Sequence, residues 1–229
     1  MFARHWFRAL ISLLFLACAA PRPANADVQQ YVVVYIELFP SSVSSGERIL
    51  DQLSAVALAA GALRFDVDQE VQRSNFFVLI ETWKNQAAYN DFIGSTTAQT
   101  LLTQLNQFLI APPDERDGTL IKTGQLAETP AHAGEIEVVT HIDVIPTFLD
   151  QAKPLILQFV SDSATDPGVR EFRLVSWDDI ANHFQLIERF QTSRTFDLHV
   201  SAQHSVQFRN SLQPFIGAPY DERLYTTHP

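Results

Sequence analysis

The sequence predicts an α+β protein built from two copies of one βαββαβ unit, and three observations carry that expectation. First, Ala111-Pro112-Pro113-Asp114-Glu115-Arg116 returns 107 residues later as Ala218-Pro219-Tyr220-Asp221-Glu222-Arg223. The same offset pairs Gly61 with Gly168, Phe65 with Phe172, Asn75 with Asn182 and Leu79-Ile80-Glu81 with Leu186-Ile187-Glu188. Near the start it falls to 106, pairing Ile36 with Ile142 and Pro40 with Pro146. Second, strand-like alternation and helix-like periodicity follow one another in the same order in both copies. Third, 46% hydrophobic and 18% charged residues over 229 positions are the proportions of a packed chain able to bury its own core.

The elements of the first copy can be justified in turn. Tyr31 to Phe39 is β-branched and aromatic, and Pro40 stops the strand. From Gly46 to Ala60, Ile49, Leu50, Leu53, Val56, Ala57 and Ala60 fall on one helical face, and Gly61 suits the helix end. Leu63, Phe65 and Val67 alternate with Arg64, Asp66 and Asp68, the pattern of a half-buried strand, and Phe76 to Trp83 is a more continuously apolar one after an Arg73-Ser74-Asn75 turn. One helical region is expected over Gln86 to Phe108, then a Pro-Asp-Glu-Arg turn and a last strand near Thr119 to Thr123.

This order is the split βαβ, ferredoxin-like arrangement, with helices on one face of an antiparallel sheet and the other face open. Two tandem units bury their open faces against each other, so the expected architecture is a pseudo-dimeric α+β barrel within one chain. The expected divisions are a leader at 1–26, repeats at 27–124 and 136–229, and a turn-rich linker at 125–135 around Thr129-Pro130-Ala131-His132-Ala133-Gly134.

In the leader, Arg4 and Arg8 precede an apolar run from Ala9 to Ala20 and an Ala24-Asn25-Ala26 site, the layout of a secretory signal cleaved before Asp27. Leu16-Ala17-Cys18 offers lipidation as an alternative. The run is too short for a spanning helix, so a periplasmic or secreted protein without stable membrane insertion is expected. Sixteen basic against 26 acidic residues give −10, and loss of Arg4, Arg8 and Arg22 with the leader makes it −13. Such a field repels nucleic acid. The mature chain keeps no cysteine, hence no disulfide and no thiolate.

Phe76-Phe77-Val78-Leu79-Ile80-Glu81-Thr82-Trp83, with Tyr89, Phe92 and the Ala111-Pro112-x-Asp114-x-Arg116 close, resembles antibiotic biosynthesis monooxygenase domains of the dimeric α+β barrel group. The family's strand-ending Glu-x-Trp is Glu81-x-Trp83 in the first copy and Glu188-x-Phe190 in the second; its helix histidine is Phe92 in the first and His199 in the second. The resemblance implies oxygen insertion into an electron-rich aromatic, a quinol or phenol, without metal or other cofactor. It also admits two alternatives: a non-catalytic barrel that holds an apolar small molecule or a partner, and haem binding through His199 or His204. Further homo-oligomerisation is compatible with it.

Such chemistry needs a base and an oxyanion donor in a mostly dry pocket. The equivalent residues Tyr35 and His141, with Glu37 and Asp143 two positions on, share a face of each first strand, which points either into the barrel or to solvent. If it points inward, His141 is a candidate base whose pKa Asp143 would raise. His199 is the second candidate base. His183 and Gln185 stand where the first copy has Phe76 and Val78, marking either a ligand-lined pocket or greater exposure. Trp83 either packs in the core or stacks on substrate. Glu81 and Glu188 read as structural partners for Arg116 and Arg223, and Asp114 and Asp221 as turn residues. On one continuous helix His199 and His204, five residues apart, do not share a face as a metal-binding pair would, so no metal site is expected. Phosphate-loop, Gly-x-Ser-x-Gly and His-Glu-x-x-His motifs are absent from the sequence.

Overall fold

The computed structural model describes residues 28–125 and 131–227. The leader, including Cys18, and the middle of the 125–135 linker lie outside the described residues. In the first copy, β1 (Gln30–Glu37) passes through a turn opened by Pro40 into α1 (Val43–Ala59). There follow β2 (Arg64–Glu70), β3 (Phe76–Trp83), α2 (Gln86–Ile93), α3 (Thr96–Leu105) and β4 (Asp114–Gln125). The second copy repeats the order as β5 (Ile136–Asp143), α4 (Leu149–Ser163), β6 (Val169–Trp177), β7 (His183–Phe190), α5 (Ser193–Ser201), α6 (Gln203–Leu212) and β8 (Asp221–Thr227). The equivalent Gly61 and Gly168 both take positive φ, 102° and 82°, in the turns that leave α1 and α4.

Two sequence expectations need correction. The helical region after β3 is two helices, because Ser95 caps a new one with its side chain on the Ala98 N–H, and the second copy likewise breaks at Ala202. The Asp114-Glu115-Arg116 and Asp221-Glu222-Arg223 segments begin β4 and β8 instead of forming turns, since their backbones pair with β1 and β5.

The eight strands close in the order β1-β3-β2-β8-β5-β7-β6-β4. Each copy contributes four adjacent strands. The seams are β2 with β8, over Asp68–Glu70, and β4 with β6, over Gly118–Gln125. Strand alternation then divides the core into three. Val32, Val34 and Ile36 face α1 and its neighbours, and Val138 and Ile142 do the same in the second copy. Tyr31, Val33, Val78, Ile80, Val139, Val175, Ile187 and Tyr225 fill the barrel itself. The interior is packed, as expected of eight strands.

The charged side of β2 points into this interior. Arg64 contacts Asp66 at 2.7 Å, Glu137 at 2.9 Å and Glu171 at 2.8 Å; Arg189 contacts Glu137 at 2.8 Å and Asp66 at 2.7 Å; Arg173 contacts Glu171 at 2.8 Å. Three arginines thus meet three carboxylates across the two copies. Asp68, fully buried beside them, is pushed well above the usual carboxylate range by burial and by Glu137 and Asp66.

Candidate active site

At the Tyr35 end of the barrel the equivalent residues Tyr35 and His141 touch, the hydroxyl 2.5 Å from His141 Nε2, so the pseudo-twofold axis passes between them. The shared face of β1 and β5 is therefore interior. Arg116, one strand over on β4, puts Nη1 2.7 Å from both ring nitrogens of His141. Its guanidinium lies 4.8 Å from the Tyr35 ring centre and 4.6 Å from that of Trp177, while its repeat equivalent Arg223 lies 5.1 Å from Tyr35. Both arginines are held by the acids two residues back, Asp114 at 2.6 Å and Asp221 at 2.7 Å.

These partners fix the protonation of His141. An arginine only donates, so the ring nitrogen that accepts from Arg116 carries no hydrogen, and the imidazole is neutral with its single N–H on the other nitrogen. Burial, followed by the charge of Arg116, holds His141 down at about 3, and burial together with Tyr225 keeps the Tyr35 hydroxyl well above 10. The expected pairing of His141 with Asp143 does not form, and the expected rise in its pKa is reversed. Both ring nitrogens are engaged, which leaves His141 unsuited to act as a base.

Asp143 turns instead to His183 at the start of β7, with Nε2 to Oδ1 at 3.0 Å, and Asn182 adds a 3.3 Å bond to the same oxygen. With Nε2–H donating to Asp143, Nδ1 is the atom left to take a proton. The ring of Trp177, the last residue of β6, lies 4.8 Å from that of His183 and 5.8 Å from that of His141. Arg116, His141, Asp143, Trp177, His183 and Pro219 line a cavity of about 200 Å³, room for roughly seven waters at ~30 Å³ each. The indole Nε1 of Trp177 is buried without a hydrogen-bond partner. Sequence reasoning missed Trp177 and the bridging role of Arg116. The signal was available: at the repeat offset Trp177 replaces Glu70, and His183 replaces Phe76.

The remaining candidates lie on the other face of the sheet. Trp83 is fully buried, stacked on Phe92 at 4.8 Å, and donates Nε1–H to Glu81 Oε2 at 2.8 Å, so it packs and does not line the cavity. Glu81 is thereby a partner of Trp83, not of Arg116. Glu188 pairs with Thr140 at 3.2 Å and not with Arg223. His199 on α5 is 3% exposed among Phe159, Phe172 and Phe190, its Nδ1 2.7 Å from Asp166 and its Nε2 3.8 Å from Glu188. It faces the helices, away from Tyr35 and His141. With carboxylates on both sides and three phenylalanine rings around it, it presents no open face to a haem.

Residues 30–103 match the family model for antibiotic biosynthesis monooxygenase. Three solved structures share the fold over nearly the whole chain. A candidate monooxygenase from Fusobacterium nucleatum superposes with TM-score 0.78 at 13% identity, covering 87% of this chain and 92% of its own. For one from Lactobacillus acidophilus the values are 0.70, 14%, 87% and 94%. For an anthrone oxidase-like protein they are 0.66, 10%, 90% and 93%. At such identities the likeness is one of fold. No curated protein matches the sequence. The first repeat thus matches the antibiotic biosynthesis monooxygenase domain model over residues 30–103, and the two repeats close into one eight-stranded α+β barrel within a single chain.

Proposed function

We propose that the protein is an exported, cofactor-independent monooxygenase acting on a small phenolic or quinol-type aromatic at the cavity beside the pseudo-twofold axis. The observation that carries the reading is the convergence of Arg116, His141, Trp177 and the Asp143-held His183 on one cavity. A phenol there meets Trp177 as a stacking surface and Arg116 as the cation that holds the phenolate. His183 Nδ1 takes the phenolic proton while Asp143 orients the ring and stabilises the imidazolium. His141, neutral at physiological pH, positions Arg116 without adding a charge of its own. The electron-rich phenolate supplies the electrons to dioxygen. For an anthrone-type methylene one oxygen atom becomes the new carbonyl and the other leaves as water with the two methylene hydrogens, so no external reductant is consumed.

The cavity volume suits one or two rings better than a tetracyclic polyketide. Oxygen uptake with a panel of hydroquinones, naphthols and anthrones tests the reading. The expected outcome is turnover by the unaltered protein that falls about 10²-fold or more in Arg116→Ala and His183→Ala, the range for loss of an oxyanion donor or a general base. Uptake unaffected by both substitutions would remove this site. Tight binding of the same aromatics without uptake would leave a binding barrel in place of an enzyme.

A further inference from the structure

We infer that the second repeat carries a site for a borderline first-row divalent cation, zinc foremost, formed by Asp166, His199 and His204. It lies between the helices and the outer face of the sheet and is independent of the cavity described above. One ligand atom from each residue lies within 4.8 Å of the others. His199 Nδ1 and His204 Nε2 approach the same oxygen, Asp166 Oδ2, at 2.7 Å and 3.1 Å. Tetrahedral ligands at about 2.0–2.2 Å from zinc sit roughly 3.3 Å apart, so a cation enters by drawing these groups apart about half an ångström. Two imidazoles and one carboxylate, with the fourth position open to water, form a donor set that zinc accepts.

The backbone explains how residues five apart come together. On an uninterrupted helix His199 and His204 would lie about 140° apart around the axis. Ala202, at φ −61° and ψ 147°, ends α5 and starts α6, and the turn brings both rings onto Asp166, with centres 5.8 Å apart. Asp166 is fixed in its own turn by an N–H bond to Ser163 O at 3.1 Å and by the Val169 N–H on its carbonyl at 3.2 Å. Gly168 holds that turn against α5, since a Cβ there would come within 2.4 Å of Thr195 Cγ2.

The surroundings are those of a binding site. His199 directs its other nitrogen toward the buried Glu188 at 3.8 Å, the outer carboxylate that metal-bound histidines characteristically have. Phe159, Phe172 and Phe190 wall the inner side, and His204 and Asp166, at 24% and 16% side-chain exposure, leave a path to solvent. The other repeat serves as an internal control. At the 107-residue offset it has Ala59, Phe92 and Thr97 where the second has Asp166, His199 and His204, so the ligating residues depart together from a shared frame.

The test is zinc titration of the chelator-stripped mature chain by calorimetry, with metal content by mass spectrometry, against His204→Ala and Asp166→Asn. The expected result is one zinc per chain, a rise in melting temperature on addition of zinc, and at least tenfold weaker binding in each variant, with His132→Ala unchanged. Cobalt substitution should give the visible absorption of a tetrahedral site. His204 is half-exposed in the first turn of α6, so its alanine variant keeps the fold even if Asp166→Asn does not. Absence of stoichiometric zinc in the unaltered chain, or equal affinity in His204→Ala, overturns the assignment and leaves a hydrogen-bonded His-Asp-His cluster.

Discussion

Glu81 shows how one side chain can set a pH dependence. Burial, against the hydrogen bond from Trp83 and with help from Glu115 and Asp117, pushes its carboxyl up to about 8. The folded state therefore holds a proton that the unfolded state releases near pH 4.5, and stability falls as pH rises from there through about 8. The contribution is a few kcal/mol, at ~1.4 per pK unit. Glu81→Gln keeps an acceptor for the indole and cannot ionise. Its urea midpoint should match the unaltered protein near pH 5 and exceed it near pH 9; parallel curves would contradict the assignment. At this scale the sequence was legible where a face alternates, which is how Tyr35 and His141 stood out as equivalents. It was silent on partners. Asp143 is two residues from His141 on the same strand, yet β1 and β4, which face β5 across the barrel, put Tyr35 and Arg116 closer, and contacts through the barrel interior are not written in local spacing.

β4 is the element on which closure of the barrel depends. Its first half pairs with β1 and its second with β6, and Gly118 stands at the changeover. A Cβ at Gly118 would lie 2.4 Å from Val175 Cγ1 and 2.7 Å from the Ser176 carbonyl oxygen. Gly118→Ala should destabilise by about 1–3 kcal/mol, the cost of overpacking, as read from the denaturant midpoint. No change would mean that the seam is looser than described. The strands and first helices could be read from periodicity, and β3 ends where its apolar run ends. The helix breaks could not, because Gln86–Phe108 has polar residues compatible with one helix and the interruptions are set by the Ser95 cap and the extended Ala202.

For the whole molecule, the two copies share what neither can complete alone. Arg64 of the first reaches Glu137 and Glu171 of the second, and Arg189 of the second reaches Asp66 of the first, all with little access to water. Separating the copies would strand buried charges as well as expose Val33, Ile80, Val139 and Ile187. Residues 27–128 expressed alone should fail to give a stable monomer by sedimentation and thermal melting; a cooperatively folded monomer would contradict this. The duplication made the barrel legible, whereas the polar β2 pattern could not disclose that its charged side is interior, since ion pairing across copies replaces solvent. The central claim is that the two copies build one ligand site at their shared axis. The most direct measurement is nitrogen NMR of histidine-labelled protein spanning residues 27–229, titrated under nitrogen with a naphthoquinol. The account predicts that His183 and His141 shift on binding, that His199 does not, and that His141 stays neutral from pH 5 to 8. Shifts confined to His199, or none at all, would contradict it.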